Sequence, residues 1–431
     1  MPDGTLAFKM YAPSRLPALP PLQPGSLVPH SLMYRLRAVD LKGREWTSDF
    51  VSPDQSASRN GGAVIKGTVW DLVHSTKDGA MPVEGMDLYF LDDLAIPVTA
   101  YTETKTTSPT GEIQSSAWDR AIVESPDYRI DFHYRRSVLS ANVVTDKLRK
   151  HSDLRVVEAL QFLLARAVRW NVKQRTGRSG QETHIRCRPR QTAKPRLHKP
   201  IQFFGGHDLT GSMWALFQKY YDFASSEASE NWHPVSIHLH NASEASAASV
   251  DTQRLALGIA VEGIAAATLA SVATHAPDQA VRSILAHLDR WQGMPDWPER
   301  DSFRDRVKGL FGLLRMPRAK DRLWWAAARG FISDADVRAW SKLRNAAAHP
   351  DELDPSITQK SLALIEHVTT VMYKLVFAAI GYEGAYTDYS TRGWPTQQFS
   401  TGGCVRPFAQ NPAPEPDEAA SDDAGAPERC E

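Results

Sequence analysis

Hydrophobic and polar positions follow two rhythms along this chain, and the change from one to the other divides it. From residue 31 to residue 137, short runs rich in β-branched and aromatic residues are separated by Gly, Pro, Asp and Ser clusters. Leu32 to Val39, the turn Leu41-Lys42-Gly43-Arg44 and Glu45 to Val51 predict a hairpin. Ala63 to Val73, Met86 to Phe90, Ile96 to Thr104 and Tyr128 to Tyr134 predict further strands. Such runs, bounded by turn residues, build an antiparallel sandwich or barrel. At Leu154 the period lengthens. Leu154, Val157, Leu160, Leu164, Val168 and Val172 recur at helical spacing and predict a helix over 154–175. From Gly211 onward helices are expected over 213–223, 253–273, 279–292, 303–314, 319–328, 333–348 and 357–380, with His233 to Leu239 as an extended linker. Short links between helices favour antiparallel neighbours.

The fold class is therefore α+β, an antiparallel β-rich domain followed by an α-helical bundle. The expected divisions are a Pro-rich segment 1–30, the β-rich domain 31–150, a helix plus basic segment 151–206, the helical domain 207–400 and an acidic, disordered tail 401–431.

Composition changes this picture little. Lys plus Arg and Asp plus Glu are equal at 50 each, so any attraction to nucleic acid must be local. The three cysteines, Cys187, Cys404 and Cys430, form no C-x-x-C pair and no zinc spacing, which points to reduced thiols and a cytoplasmic setting. No secretory signal opens the sequence. Leu255 to Ala273 is apolar apart from Glu262, but a charge at the centre of a lone membrane span costs about 2.5 kcal/mol or more. A buried helix, and no membrane partner, is the expectation. Gly61-Gly62 lacks the surroundings of a phosphate loop, and no Cys/His cluster is visible, so neither a cofactor nor a metal is expected.

One stretch is strongly biased. Between Arg166 and Lys199 lie eleven Lys and Arg and a single acid, Glu182. Two readings stand side by side: a solvated loop with a strand edge guarded by charge, or a surface that tracks phosphates through Arg175, Arg186, Arg188, Arg190, Arg196 and Lys199.

The candidate chemistry lies in Arg344-Asn345-Ala346-Ala347-Ala348-His349. An arginine five residues before a histidine is cheap: about one such pair is expected by accident in this composition, and Arg282…His287 is another. Context separates them. The Asn after Arg344 makes the longer match about fifty-fold rarer. Ser333 and Asp336 have capping-box spacing and predict the helix start, while Pro350 stops the helix directly after His349. A histidine at a helix C-terminus meets a dipole that favours its protonated form. Histidine can shuttle protons near neutral pH, and the planar arginine fork matches phosphate oxygens, which together suit cleavage of RNA by its own 2′-hydroxyl. Five residues turn a helix by about 500°, which leaves the two side chains roughly 140° apart. One helix aims both poorly at one phosphate; two helices across a twofold axis do so well, and the motif predicts a homodimer or higher even oligomer with a composite site.

These residues resemble the active-site string of the HEPN superfamily, R-x4-6-H with a polar residue after the arginine. The similarity extends over roughly residues 207–396, in particular to the ApeA-like HEPN proteins of bacterial antiphage defence. It is carried by Trp214-Ala215-Leu216-Phe217 with Tyr220 and Tyr221, by the helix Leu257 to Leu269 with Val261-Glu262-Gly263, by Lys342 to His349, and by Gly381 to Ser390. The resemblance implies a metal-independent ribonuclease acting as a toxin during infection. It implies tRNA or another structured RNA as target, a phage-derived trigger, and Arg344, Asn345 and His349 as catalytic residues. Glu262 shares a helical stripe with Leu255, Ile259, Ala266 and Leu269 and is expected to face inward. There it either orients Arg344 or bonds a helix end or another arginine. A non-catalytic HEPN module for RNA binding or assembly is the alternative function.

Overall fold

A computed structural model of the chain describes residues 6–13, 33–51, 53–57, 62–77, 84–108, 111–146, 148–149, 151–186, 197–202, 209–226, 230–270, 278–290, 299–313, 317–348 and 355–401. The first strand, β1 (Leu6–Ala12), falls inside the stretch expected to be a Pro-rich lead-in. It is followed by the anticipated hairpin, β2 (Tyr34–Val39) and β3 (Glu45–Val51), whose turn is fixed by Asp40 accepting the backbone N–H of Lys42 and Arg44 at 2.8 and 2.9 Å. Then come β4 (Asp54–Ala57), β5 (Ala63–Val69), β6 (Asp71–Thr76), β7 (Glu84–Phe90), β8 (Ala100–Ser108), β9 (Gly111–Ser125), β10 (Tyr128–Arg135) and β11 (Val138–Thr145). A first helix, α1 (Ser152–Leu164), precedes the hairpin β12 (Val172–Gly177) and β13 (Gly180–Arg186).

The strands form a small sheet, β1-β5-β4, and a ten-stranded antiparallel sheet in the order β2-β3-β6-β13-β12-β7-β11-β10-β9-β8. Period-two burial sets which face is inside. Met86, Leu88 and Phe90 on β7, Ile130 and Phe132 on β10, and Leu139, Ala141 and Val143 on β11 are all buried. The segment 151–206 is thus no appendage to the β region. Its hairpin fills the middle of the large sheet, with β13 between β6 and β12, so the charged strand is not an edge strand.

The helix expected over 154–175 ends early. Ala165 adopts a left-handed conformation (φ 49°) as C-cap, Val168 donates its N–H to the Gln161 side chain at 3.1 Å, and Val172 opens β12. Val168 and Val172 fit the helical spacing but belong to the extended return into the sheet.

The helical part comprises α2 (Thr210–Ser226), α3 (Pro234–Ala245), α4 (Val250–Thr268), α5 (Asp278–Arg290), α6 (Arg300–Leu313), α7 (Ala319–Ala328), α8 (Asp334–Ala348) and α9 (Pro355–Ile380), closed by the hairpin β14 (Gly384–Thr387) and β15 (Thr396–Phe399). The stretch expected to be a linker at 233–239 is the start of α3: His233 is its N-cap and Pro234 its first residue, where a missing N–H costs nothing. Phe132 of the sheet stacks on Trp214 of α2 with ring centres 5.1 Å apart, and one continuous core joins sheet and bundle. The segment Gln359–Ile380 of α9 is long and apolar enough to cross a membrane, and 67% of its most apolar stretch is buried inside the fold. The acidic tail from 402, Cys187 and Cys404 lie outside the described residues.

Candidate functional site

The helix carrying the arginine–asparagine–histidine string is anchored at its start. The Ser333 N–H donates to Asp336 at 2.9 Å and the Asp336 N–H to Ser333 Oγ at 3.1 Å, the reciprocal cap read from the sequence. Asp336 does more than cap. It also accepts from His367 Nε2 at 2.7 Å and from Lys374 Nζ at 3.1 Å, both on α9. Burial alone would raise its carboxyl pKa, but His367, Lys374 and the Ser333 N–H outweigh it and hold Asp336 well below the usual carboxylate range. Nothing in the sequence marked His367 or Lys374, because their partner lies more than thirty residues away.

Two turns further, α8 crosses α4. Trp340 Nε1 donates to the Gly258 carbonyl at 3.3 Å, and Leu343 is fully buried in the core. Gly258 lies where the side chain of Leu343 and the backbone of Arg344 come within van der Waals reach. On the other flank of α4, a Cβ on Gly263 would sit 2.1 Å from the His238 ring, so α3 packs its imidazole directly on the α4 backbone. These contacts place Glu262 opposite Arg344, and Arg344 Nε donates to Glu262 Oε1 at 2.9 Å. The side chains are 53% and 31% exposed, and the other guanidinium donors take no partner among the described residues. Asn345 is exposed beside them. His349 and Pro350 lie outside the described residues; α8 runs to Ala348, the residue before His349.

The stripe expected to face inward instead faces out. Leu255 and Ile259, two turns and one turn before Glu262, are each 51% exposed, and Ala266 is exposed as well; of the five positions only Leu269 is buried. The buried side of α4 is Arg254, Leu257, Val261 and Ile264, offset by a fraction of a turn. Both stripes are apolar, and the sequence period does not choose between them. The competing pair, Arg282 and His287, is exposed on α5, whose main packing partner is α6.

Of the basic residues, Arg175 and Arg186 line one cleft of the large sheet. Lys199 does not join them. It lies in the irregular segment 197–202, where its carbonyl accepts from Tyr389 Oη at 2.5 Å, and burial, with Arg166 nearby, pushes its ammonium pKa down. Arg188, Arg190 and Arg196 lie outside the described residues. The chain matches no family model, no curated protein and no solved structure.

Proposed function

We propose that the protein is a metal-independent HEPN endoribonuclease that works as a homodimer, as a toxin effector of antiphage defence. The observation that carries this reading is the Arg344–Glu262 pair. An arginine of the motif stands on an open helix face, held through one N–H by a carboxylate, with donors left to meet a phosphate. In the reaction the 2′-oxygen of RNA forms a bond to the adjacent phosphorus and the 5′-oxygen leaves with a proton. The products are a 2′,3′-cyclic phosphate and a 5′-hydroxyl. His349 takes and returns the protons, Arg344 stabilises the charge that builds on the phosphoryl oxygens, and Asn345 hydrogen-bonds the strand. Leu255 and Ile259 give the same face an apolar flank that a second copy would cover, in keeping with a site shared across a twofold axis.

The test uses purified protein, total RNA or tRNA, and a chelator. Wild type is expected to cut with chelator present, to leave cyclic phosphate ends, and to sediment at twice the chain mass. Arg344→Ala and His349→Ala are each expected to lose at least about 100-fold in rate with circular dichroism and sedimentation unchanged. Cutting by either variant at the wild-type rate would sink the assignment, and RNA binding without cleavage by wild type would identify a non-catalytic module.

A further inference from the structure

The large sheet carries a second polar site, apart from the helix face that holds Arg344. Alternate residues of β12 and β13 point to one side: Lys173, Arg175 and Gly177 on one strand, Glu182, His184 and Arg186 on the other. Cross-strand register pairs Lys173 with His184, Arg175 with Glu182, and Gly177 with Gly180. The N-terminus of α1 stands over this floor, and the two encompass an open cleft of about 670 Å³. That lies within the roughly 300–1,000 Å³ typical of small-molecule sites. At the far end Gly180 lets β13 approach β6 closely. Gly180 has φ 118°, and a Cβ there would collide with the Thr76 carbonyl at 2.0 Å.

The charges in the cleft balance by count but not by commitment. Asp153 accepts from Trp170 Nε1 at 3.0 Å and from Lys173 at 3.4 Å, and Glu84 accepts the Leu148 N–H at 2.8 Å; both acids are occupied within the protein. His184 is held by Asp71 at 3.1 Å. The cations keep capacity. Arg175 gives one bond to the Leu148 carbonyl at 2.8 Å and stands 4.0 Å from Glu84, which leaves other donors of its five. Arg186 sits over Trp170, its guanidinium carbon 3.7 Å from the ring centre, and its guanidinium makes no hydrogen bond or close ion pair among the described residues, with Asp153 and Asp71 acting on its charge from farther away. A guanidinium fixed on an indole has lost its side-chain freedom before any ligand arrives, and it offers both an in-plane fork for phosphate and an outer face for a planar ring. At the other end Glu182 is an exposed acceptor. Arg186 lies four strand positions beyond Glu182, a span of about 13 Å.

We infer that this cleft binds a free nucleotide, with its phosphate at Arg186 and Lys173 and its sugar hydroxyls or exocyclic amine at Glu182. The span matches one nucleoside phosphate, and the donors at one end and the acceptor at the other match its two polar ends. The inference is independent of the ribonuclease reading, because binding is measured without RNA cleavage.

The full chain is titrated by calorimetry with each of the four ribonucleoside mono- and triphosphates, with inorganic phosphate, and with a short single-stranded RNA. At least one nucleotide is expected to bind one per chain, and phosphate to compete only weakly. Arg186→Met, which retains an apolar stem over Trp170, is expected to weaken binding at least tenfold, and Glu182→Gln severalfold. Arg344→Ala is expected to bind as wild type does. Saturable binding by none of the nucleotides, unchanged affinity in Arg186→Met, or binding of the RNA alone would each overturn the proposal.

Discussion

Two of the arginine–glutamate pairs in this molecule share their chemistry and differ in setting. Arg155 and Glu158, with 5% and 0% side-chain exposure, lie where α1 meets the start of α3. Their groups are used up inside the fold. Arg155 donates to Glu158 at 2.7 Å and to the Asn231 carbonyl at 2.9 Å, while Glu158 accepts the His233 N–H at 2.6 Å. Arg344 and Glu262 are linked by one bond on an open face. A buried pair with every donor met fixes the register of its elements. An open pair contributes little to stability and leaves its arginine available to a ligand. The same two residue types can thus serve the scaffold in one place and the site in another, and burial decides which.

The largest effect expected from this contrast is on folding. Arg155→Ala strands the Glu158 carboxylate in the interior and is expected to cost about 3–5 kcal/mol in denaturant unfolding, whereas Arg344→Ala is expected to cost about 1 kcal/mol or less. Equal losses would remove the distinction.

The next effect is on pH dependence. His233 caps α3 with Nδ1 accepting the Val235 N–H at 3.2 Å, which requires an unprotonated Nδ1, and burial, with Arg155 nearby, pushes its pKa down to about 4. Between pH 6.5 and 4 the unfolded state binds the proton and the folded state does not, so this contribution is complete above pH 6.5 and lost as pH falls. From that shift, wild type should lose about 3 kcal/mol relative to His233→Asn across this window. Asn retains the cap, and the comparison with it isolates His233 from Glu158, whose carboxyl pKa burial pushes up. Parallel stability profiles for the two proteins would refute the assignment.

The smallest effect sharpens the open pair. Glu262→Gln is expected to change stability by less than about 1 kcal/mol and, on the proposed ribonuclease reading, to lower the cleavage rate about tenfold at unchanged KM, because a neutral partner orients Arg344 less firmly. Glu262→Asp should recover part of that rate. A loss of stability as large as that of Arg155→Ala would make the pair structural.

Much of the fold was legible along the chain. The first hairpin, the α+β order, and α7, α8 and α9 follow from period and caps. The misses have physical reasons. β9 contains Gln114, Ser115 and Ser116 in an exposed arm with no buried side to give alternation. β12 reads Val-Lys-Gln-Arg-Thr-Gly because its floor is a polar cleft rather than core. On α4 the helical period was right and the phase was not, since two apolar stripes competed and only packing against α3, α8 and α9 chose between them. Within the candidate site the motif is visible in the sequence, and the bond of Glu262 to Arg344 is one of the two partnerships the sequence left open; the packing of α4 against α8 that decides between them was not legible.

The order of strands in the large sheet has a consequence in time. β6 and β7 are neighbours in sequence but not in space, because β13 and β12, made about a hundred residues later, stand between them. On a growing chain β7, β11, β10, β9 and β8 can pair as they emerge. The β2-β3-β6 flank must wait for residues 172–186 to bridge it to the rest. Until then β6 and β7 each present an open edge, the kind of surface that chaperones cover and neighbouring nascent chains can capture. The charged hairpin that forms the floor of the cleft is also the clasp that closes the sheet, so its synthesis marks the moment at which the two flanks become one structure.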